Sequence, residues 1–192
     1  MNKVLHRALI IGSALLIVGV LGYLLHLGAS YYVLPIETRF FHPLYNTLKP
    51  SGIYGHAYGI FGTLLMLIGL FSYMARKRLR FMYTWGTLKN WLDVHMTLCT
   101  LGTLLIVFHT SFKFGGIISI GFWSLLLVWF SGIIGRFIYA RIPHTIEGKR
   151  LDAIKRLFNH WHYAHVPFAL IVLIFLVIHV VVVLYLGYTW IF

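Results

Sequence analysis

Acidic side chains are scarce in this sequence: Asp and Glu together number four in 192 residues, and charged residues of both signs make up only 10%. A soluble domain carries about a quarter of its residues as charged side chains. Hydrophobic residues reach 60%, and the mean hydropathy is +0.85. The composition argues against a water-soluble fold and predicts an integral membrane protein, with residues 1–192 forming a single membrane domain.

Cysteine is represented by Cys99 alone, so no disulfide can form within the chain. A C-x-x-C-H motif for covalent haem attachment is also missing. We expect Cys99 to be a small buried packing residue. A nucleic-acid partner is not expected, because the sequence has no basic domain outside its apolar segments. It also has no dinucleotide-binding glycine motif.

Five apolar runs are long enough to cross a bilayer, which takes about 20 helical residues. Lipid cannot satisfy backbone polar groups, and the short alternating segments of a membrane barrel are missing, so each run is predicted to be a helix. The fold class is therefore an all-α integral membrane protein with five transmembrane helices. The predicted spans are residues 8–27, 54–75, 91–112, 121–139 and 164–186.

Basic residues are distributed unevenly between the two sides that these spans define. Thirteen of the sixteen Lys and Arg fall on one side and three on the other. Cytoplasmic loops carry the positive excess, which places the N-terminus inside and the C-terminus outside. The expected location is the cell inner (cytoplasmic) membrane, as a multi-pass protein. The thirteen are Lys3, Arg7, Arg76, Lys77, Arg78, Arg80, Lys89, Arg136, Arg141, Lys149, Arg150, Lys155 and Arg156.

The single membrane domain divides into an N-terminal part and a main bundle. Residues 1–53 are expected to form a retained signal-anchor helix followed by an aromatic segment along the outer interface. Residues 54–192 are expected to form the main helical bundle, with an inner amphipathic helix near 147–162. That helix would anchor the chain against anionic lipid, or else offer a docking face to an acidic redox partner.

Four of the eleven histidines lie within predicted spans, and they share one spacing. His95 and His109 are fourteen residues apart in the third span, and His165 and His179 are fourteen apart in the fifth. On a helix this interval leaves two rings within ~40° of each other around the axis and ~21 Å apart along it. Because the third and fifth spans run parallel, His95 matches His165 in depth, and His109 matches His179.

Two imidazoles at one depth form a bis-histidine site for haem iron, and filled axial positions favour electron transfer over O₂ binding. We therefore predict two non-covalent haem b groups, with His95 and His165 as ligands of an inner haem and His109 and His179 as ligands of an outer one. A single histidine within a membrane can instead bond a neighbouring helix. A further alternative is a non-haem di-iron site built on the HWHYAH stretch at 160–165.

The repeated H-x13-H pattern resembles the ferric reductase-like transmembrane domain of metalloreductases and NADPH oxidases, and also respiratory cytochrome b. The resemblance covers residues 55–187 and is specific at the four histidines. It implies that a four-helix core, from the second to the fifth span, holds the haems. Two departures matter: no flavin or nucleotide domain follows the last span in this sequence, and the quinone-site motifs of cytochrome b are not found. The electron donor is then expected to be quinol or a separate protein.

Other residues fit this pattern less specifically. Gly55 and Gly69 are fourteen apart, as are Gly121 and Gly135, and Gly102 lies midway between His95 and His109. These glycines either let porphyrin faces approach the backbone or serve helix packing. For haem propionates, Arg136 is the best inner candidate, with Arg141 and Arg80 behind it, and Lys113 and Arg39 are outer ones. Asp93 either relays a proton at an inner quinone site or is an interfacial acid paired with a basic residue.

The expected function is that of a di-haem b-type cytochrome which carries electrons across the membrane. It would be a subunit of a larger oxidoreductase and would exchange electrons with quinone. Expected partners are the lipid bilayer and redox subunits such as a multihaem cytochrome c, an iron–sulfur protein or a flavoprotein. The alternative is a metalloreductase or repair-reductase membrane module fed by a separate flavoprotein.

Overall fold

A computed structural model of the chain describes residues 3–116, 118–140 and 149–186. Within these ranges every regular element is helical, and five helices are long and apolar enough to cross a membrane. They are α1 (Lys3–Tyr32), α2 (Ile53–Arg78), α3 (Leu88–His109), α4 (Ile118–Ala140) and α5 (Lys149–Tyr185). The predicted all-α architecture with five membrane-spanning helices is confirmed.

The connections between the first three helices contain ordered turns. Between α1 and α2, the aromatic segment contains a 3-10 turn at Arg39–Phe41 and a single helical turn at Tyr45–Leu48. Between α2 and α3, another 3-10 turn spans Arg80–Thr84. The guanidinium of Arg76 donates to the carbonyls of Tyr83 and Gly86, which ties this second connection to the end of α2.

The five helices fall into two compact units. The first contains α1, α2 and α3 and lies within Met1–Lys113, and the second contains α4 and α5 and lies within Phe114–Trp190. Large apolar side chains such as Phe61, Ile68 and Leu127 are exposed along the helices, as expected for surfaces that contact lipid.

In the first unit, α1 packs on its neighbours mainly through its C-terminal end. Leu24 and Tyr31 are buried, and the Tyr32 ring contacts Phe108 of α3 edge to face at 5.2 Å. Towards the N-terminus of α1, a Cβ added at Gly12 or Gly19 would meet no other atom within 4 Å. The α2–α3 pair is therefore the packed centre of this unit.

In the second unit, α5 is a single helix of 37 residues. The predicted amphipathic segment near 147–162 is helical from Lys149 onwards and continues directly into the fifth span, while residues 147 and 148 lie outside the described part of the chain. Pro167 lies inside this helix, where its missing N–H cannot bond to the carbonyl of Tyr163.

Candidate histidine sites

Along the contact between α2 and α3, three glycines of α2 face two histidines and one glycine of α3. Three pairs face each other: Gly55 with His109, Gly62 with Gly102, and Gly69 with His95. Successive pairs are seven residues apart on both helices, which is close to two helical turns. Residue numbers rise along α2 while those of the facing α3 residues fall, so the two helices are antiparallel. His95 and His109 therefore lie on one face of α3, as their spacing predicts.

His109, the last residue of α3, is held against the start of α2. Its Nδ1 lies 2.8 Å from the carbonyl oxygen of Gly55. A Cβ at Gly59 would lie 2.9 Å from Nδ1 and Cε1 of the same ring. A residue larger than glycine would not fit at position 59, because the imidazole occupies the space next to it.

His95 is held in the same way, two turns beyond the middle of the contact. Its Nδ1 lies 3.1 Å from the carbonyl oxygen of Gly69. The Tyr73 ring stacks on the imidazole, with centroids 5.4 Å apart and planes 28° apart. Cys99 is half-buried one turn along α3, with its sulfur 3.5 Å from Nδ1 of His95.

A backbone carbonyl accepts hydrogen bonds but cannot donate them, and this decides which nitrogen of each ring carries the proton. His95 and His109 must donate through Nδ1–H to bond to Gly69 and Gly55. The lone pair of each neutral ring is then on Nε2. Such a second hydrogen bond is the usual companion of a metal-ligating histidine, because it fixes the tautomer and raises ligand basicity.

In the second unit, His165 of α5 makes its contact with a side chain of α4. Its Nδ1 lies 2.6 Å from the hydroxyl oxygen of Ser131. The Trp161 ring stacks on the imidazole, with centroids 4.9 Å apart and planes 28° apart, and its Nε1–H donates to the Ser131 carbonyl at 2.6 Å. A Cβ at Gly135 would overlap the same indole.

His179 lies further along α5 and is half-buried. Between it and His165, Phe175 packs against Gly121 of α4, where an added Cβ would lie 2.7 Å from the Phe175 Cβ. The close contacts of Gly62, Gly69, Gly102, Gly121 and Gly135 are all with neighbouring helices of the same unit. In the structure these five glycines lie in contacts between helices. The approach of a porphyrin to Gly69, Gly102, Gly121 and Gly135 stays a prediction.

The end of α3 beyond His109 is an unusual turn, in which Ser111 and Phe112 have φ of +48° and +59°. Left-handed backbone costs about 1–2 kcal/mol for each non-glycine residue, so other contacts must hold it. Ser111 is fully buried, and its hydroxyl donates to the Leu48 carbonyl at 2.8 Å. Its own carbonyl accepts from the guanidinium of Arg39.

Arg39, an expected outer propionate partner, is buried at 5% exposure. Besides the Ser111 carbonyl, it donates to the carbonyls of Leu34 at 2.9 Å and Tyr32 at 2.8 Å. Three of the five N–H donors of a guanidinium are thus engaged by backbone. The side chain ties the aromatic segment to the end of α3, and Lys113, the other expected outer partner, is exposed.

The remaining predicted residues have separate places. Arg136 is half-buried in α4, five residues after Ser131, and Asp93 is half-buried in the first turns of α3. Arg80 is exposed in the α2–α3 connection, and Arg141 lies outside the described residues. His160 and His162 are exposed on α5. Within 3–116, 118–140 and 149–186, no three His, Cys, Asp or Glu side chains are grouped as metal ligands.

Five residues that contact the histidines or complete their register were not predicted to do so from the sequence: Gly59, Gly62, Tyr73, Ser131 and Trp161. Gly62 had a usable signal, since Gly55, Gly62 and Gly69 repeat the seven-residue interval of His95, Gly102 and His109. Trp161 also had one, since it lies four residues before His165 on the same helix. Ser131 had none, because its role depends on the pairing of α4 with α5.

Comparisons of the chain with protein-family models, with curated proteins and with solved structures gave no match.

Proposed function

We propose that this protein is a di-haem b-type cytochrome that carries electrons across a membrane as a subunit of a larger oxidoreductase. In this proposal, His95 and His165 ligate one haem, and His109 and His179 ligate the other. The pairing rests on the fourteen-residue interval that occurs in both α3 and α5. The haem-binding core would be formed by α2 to α5.

The observation that carries the proposal is the hydrogen bonding of the histidines at Nδ1. His95 and His109 both donate from this nitrogen to glycine carbonyls of α2. A histidine with its proton fixed on Nδ1 presents a basic Nε2, which is the nitrogen that an iron ligand needs. The donor set therefore fits haem iron, which accepts neutral imidazole on both faces.

When bound, haem supplies one-electron transfer, and the residues of this chain provide its environment. The backbone carbonyls of α2 hold the α3 imidazoles in one tautomer. Apolar residues between His95 and His109 exclude water and keep the two sites ~21 Å apart along the helix. Arg136 is the proposed cation for an inner propionate.

The proposed setting is the inner membrane, with the N-terminus and the His95 end of α3 facing the cytoplasm. The basic residues at the end of α2, in the α2–α3 connection and at the start of α3 support this orientation. Quinone is the proposed electron-exchange partner near one haem, with a multihaem cytochrome c, an iron–sulfur protein or a flavoprotein as the other redox subunit. Identification of co-purifying subunits separates this from a reductase module fed by a soluble flavoprotein.

Single-histidine variants test the pairing. In purified protein, His95→Ala and His165→Ala should each remove the same haem, and His109→Ala and His179→Ala should each remove the other. Optical redox titration distinguishes the two haems, because each should titrate at its own midpoint potential. Haem content per chain should fall by half in every one of the four variants.

His160→Ala and His162→Ala are the matched controls, since both side chains are exposed on α5, close to His165. Both variants should retain full haem content and an unchanged spectrum. Loss of metal from these two, combined with iron that shows no haem absorption, would instead support the di-iron alternative. Loss of different haems from the His95 and His165 variants would refute the pairing.

A further inference from the structure

Ser131 of α4 takes part in three hydrogen bonds that converge beside His165. Its hydroxyl donates to the Val128 carbonyl at 2.9 Å, and the same oxygen lies 2.6 Å from Nδ1 of His165. Its carbonyl accepts from the Trp161 indole at 2.6 Å. Val128 lies one turn before Ser131 on α4 and Trp161 lies one turn before His165 on α5, and the α4–α5 pairing brings the two pairs together.

A serine hydroxyl has a single hydrogen, and the Val128 carbonyl can only accept, so both contacts can be hydrogen bonds only if that hydrogen points to Val128. The 2.6 Å contact with His165 is then a hydrogen bond in which Nδ1–H donates and the serine oxygen accepts. We infer that Ser131 is the positioning residue of His165: it holds the proton on Nδ1 and leaves the lone pair on Nε2. This inference rests on the proposed function for its consequence at haem, but the tautomer itself does not depend on haem.

Trp161 supplies the second constraint, on the plane of the ring. The indole stacks on the imidazole, and its N–H bond to the Ser131 carbonyl fixes the indole in turn. Gly135 leaves the space that the indole occupies. One α4 residue therefore sets the tautomer of His165 directly and its ring plane through Trp161.

His165 thereby differs from the α3 histidines in the kind of group that accepts its proton. His95 and His109 donate to backbone carbonyls, which no substitution removes. The acceptor of His165 is a side chain and can be replaced. The two ligands of the inner haem are thus held differently, and the basicity of one of them depends on a hydroxyl.

Loss of this acceptor should weaken haem binding and shift its potential. Partners that hydrogen-bond to metal ligands typically account for 10–100-fold in metal affinity. We expect Ser131→Ala to lose inner haem at least tenfold faster to a competing apoprotein. Its midpoint potential should rise, because a less basic imidazole stabilises ferric iron less. The outer haem should keep its potential.

Three variants make the test specific. Ser131→Thr keeps a hydroxyl and should retain the wild-type potential, and Ser131→Cys keeps the size with a weaker acceptor and should be intermediate. Ser124→Ala is the matched control, a buried serine two turns earlier on α4, and should change nothing. Equal potentials of the inner haem in the Ala, Thr and wild-type proteins would overturn the inference.

A second measurement needs no haem. In haem-free protein with ¹⁵N-labelled histidine, the resonances of His165, identified by their loss in His165→Gln, should have the Nδ1–H shift pattern. In Ser131→Ala they should move towards a mixture of tautomers. An Nε2–H pattern in the wild type would overturn the inference even if haem binds. If the Nδ1–H pattern holds but the purified protein binds no haem, the proposed function fails and the positioning by Ser131 stands.

Discussion

His95, His109 and His165 each have a hydrogen-bond partner for Nδ1 on the helix packed beside their own. The sequence predicts that His95 and His109 share one face of their helix, because four turns bring residues fourteen apart to one side. It does not predict their acceptors. A glycine carbonyl has no signature in a sequence, and Ser131 becomes relevant only once α4 and α5 are paired in register.

Arg39 shows a different limit at the residue scale. From the sequence it is a cation near the predicted outer surface, and an anionic partner is a reasonable expectation. The structure uses it instead to bind three carbonyls around the strained turn that follows His109. Sequence shows the charge, but it does not show which groups the surrounding backbone presents to it.

Arg39→Gln should lower the free energy of unfolding by roughly 2 kcal/mol. It removes hydrogen bonds from a charged donor to buried carbonyls, and such bonds contribute about 1.5–3 kcal/mol each, offset in part by the cost of burying the charge. Thermal unfolding in detergent measures the effect. Arg80→Gln is the control, since that side chain is exposed, and it should change stability by less than about 0.5 kcal/mol. Similar stability of the two variants would contradict the role assigned to Arg39.

At the scale of the helices, the α2–α3 contact is where the sequence spacing and the structure agree most closely. Gly55, Gly62 and Gly69 face His109, Gly102 and His95 in steps of seven. Small residues allow two backbones to approach closely, which is a main source of helix association in lipid. The spacing of Gly55, Gly69 and Gly102 can be read from the sequence. The sequence does not show whether it lets a porphyrin or a neighbouring helix approach, because both require a residue without a side chain.

Gly102→Ala tests the packing role. The added Cβ would lie 2.6 Å from the Gly62 carbonyl oxygen and 2.5 Å from Cγ of Met66, so the helices must separate. Overpacking of this kind costs typically 1–3 kcal/mol, and unfolding measurements in detergent should show it. Separation should also lengthen the bonds that hold His95 and His109, and haem content should then fall.

Gly19→Ala is the matched control for this substitution, because it also adds one methyl group to a transmembrane helix. Its Cβ would meet no other atom within 4 Å. Stability and haem content should remain at the wild-type level. If Gly102→Ala and Gly19→Ala behave alike, the close α2–α3 contact is not what supports the histidines.

At the scale of the whole molecule, apolar length determines the five spans, and for this reason the sequence predicts their number and approximate bounds correctly. The division into α1–α3 and α4–α5 was not predicted. This division arises from contacts between particular helices. The sequence does not reveal those contacts, because apolar residues occur all around the predicted spans. The sequence predicts a helix near 147–162 but not that it continues into the fifth span, because the change from basic to apolar residues resembles a boundary between two helices.

Sidedness is a property of the whole chain and can be tested by labelling. In a Cys99→Ser background, a cysteine placed at Glu37 should react with a membrane-impermeant maleimide on spheroplasts with an intact inner membrane, whereas one at Lys77 should react only after lysis. Both positions are exposed, so access alone decides the result. Labelling at residue 77 in intact spheroplasts would reverse the predicted orientation.

The most direct test of the central claim is haem quantification on the purified wild-type protein. A pyridine haemochrome assay combined with protein determination should give two haem b per chain, with the sharp α and β bands of low-spin, bis-histidine iron in the reduced spectrum. One haem per chain would contradict the pairing of four histidines in two sites. A chain purified from native membranes without haem would contradict the proposed function itself.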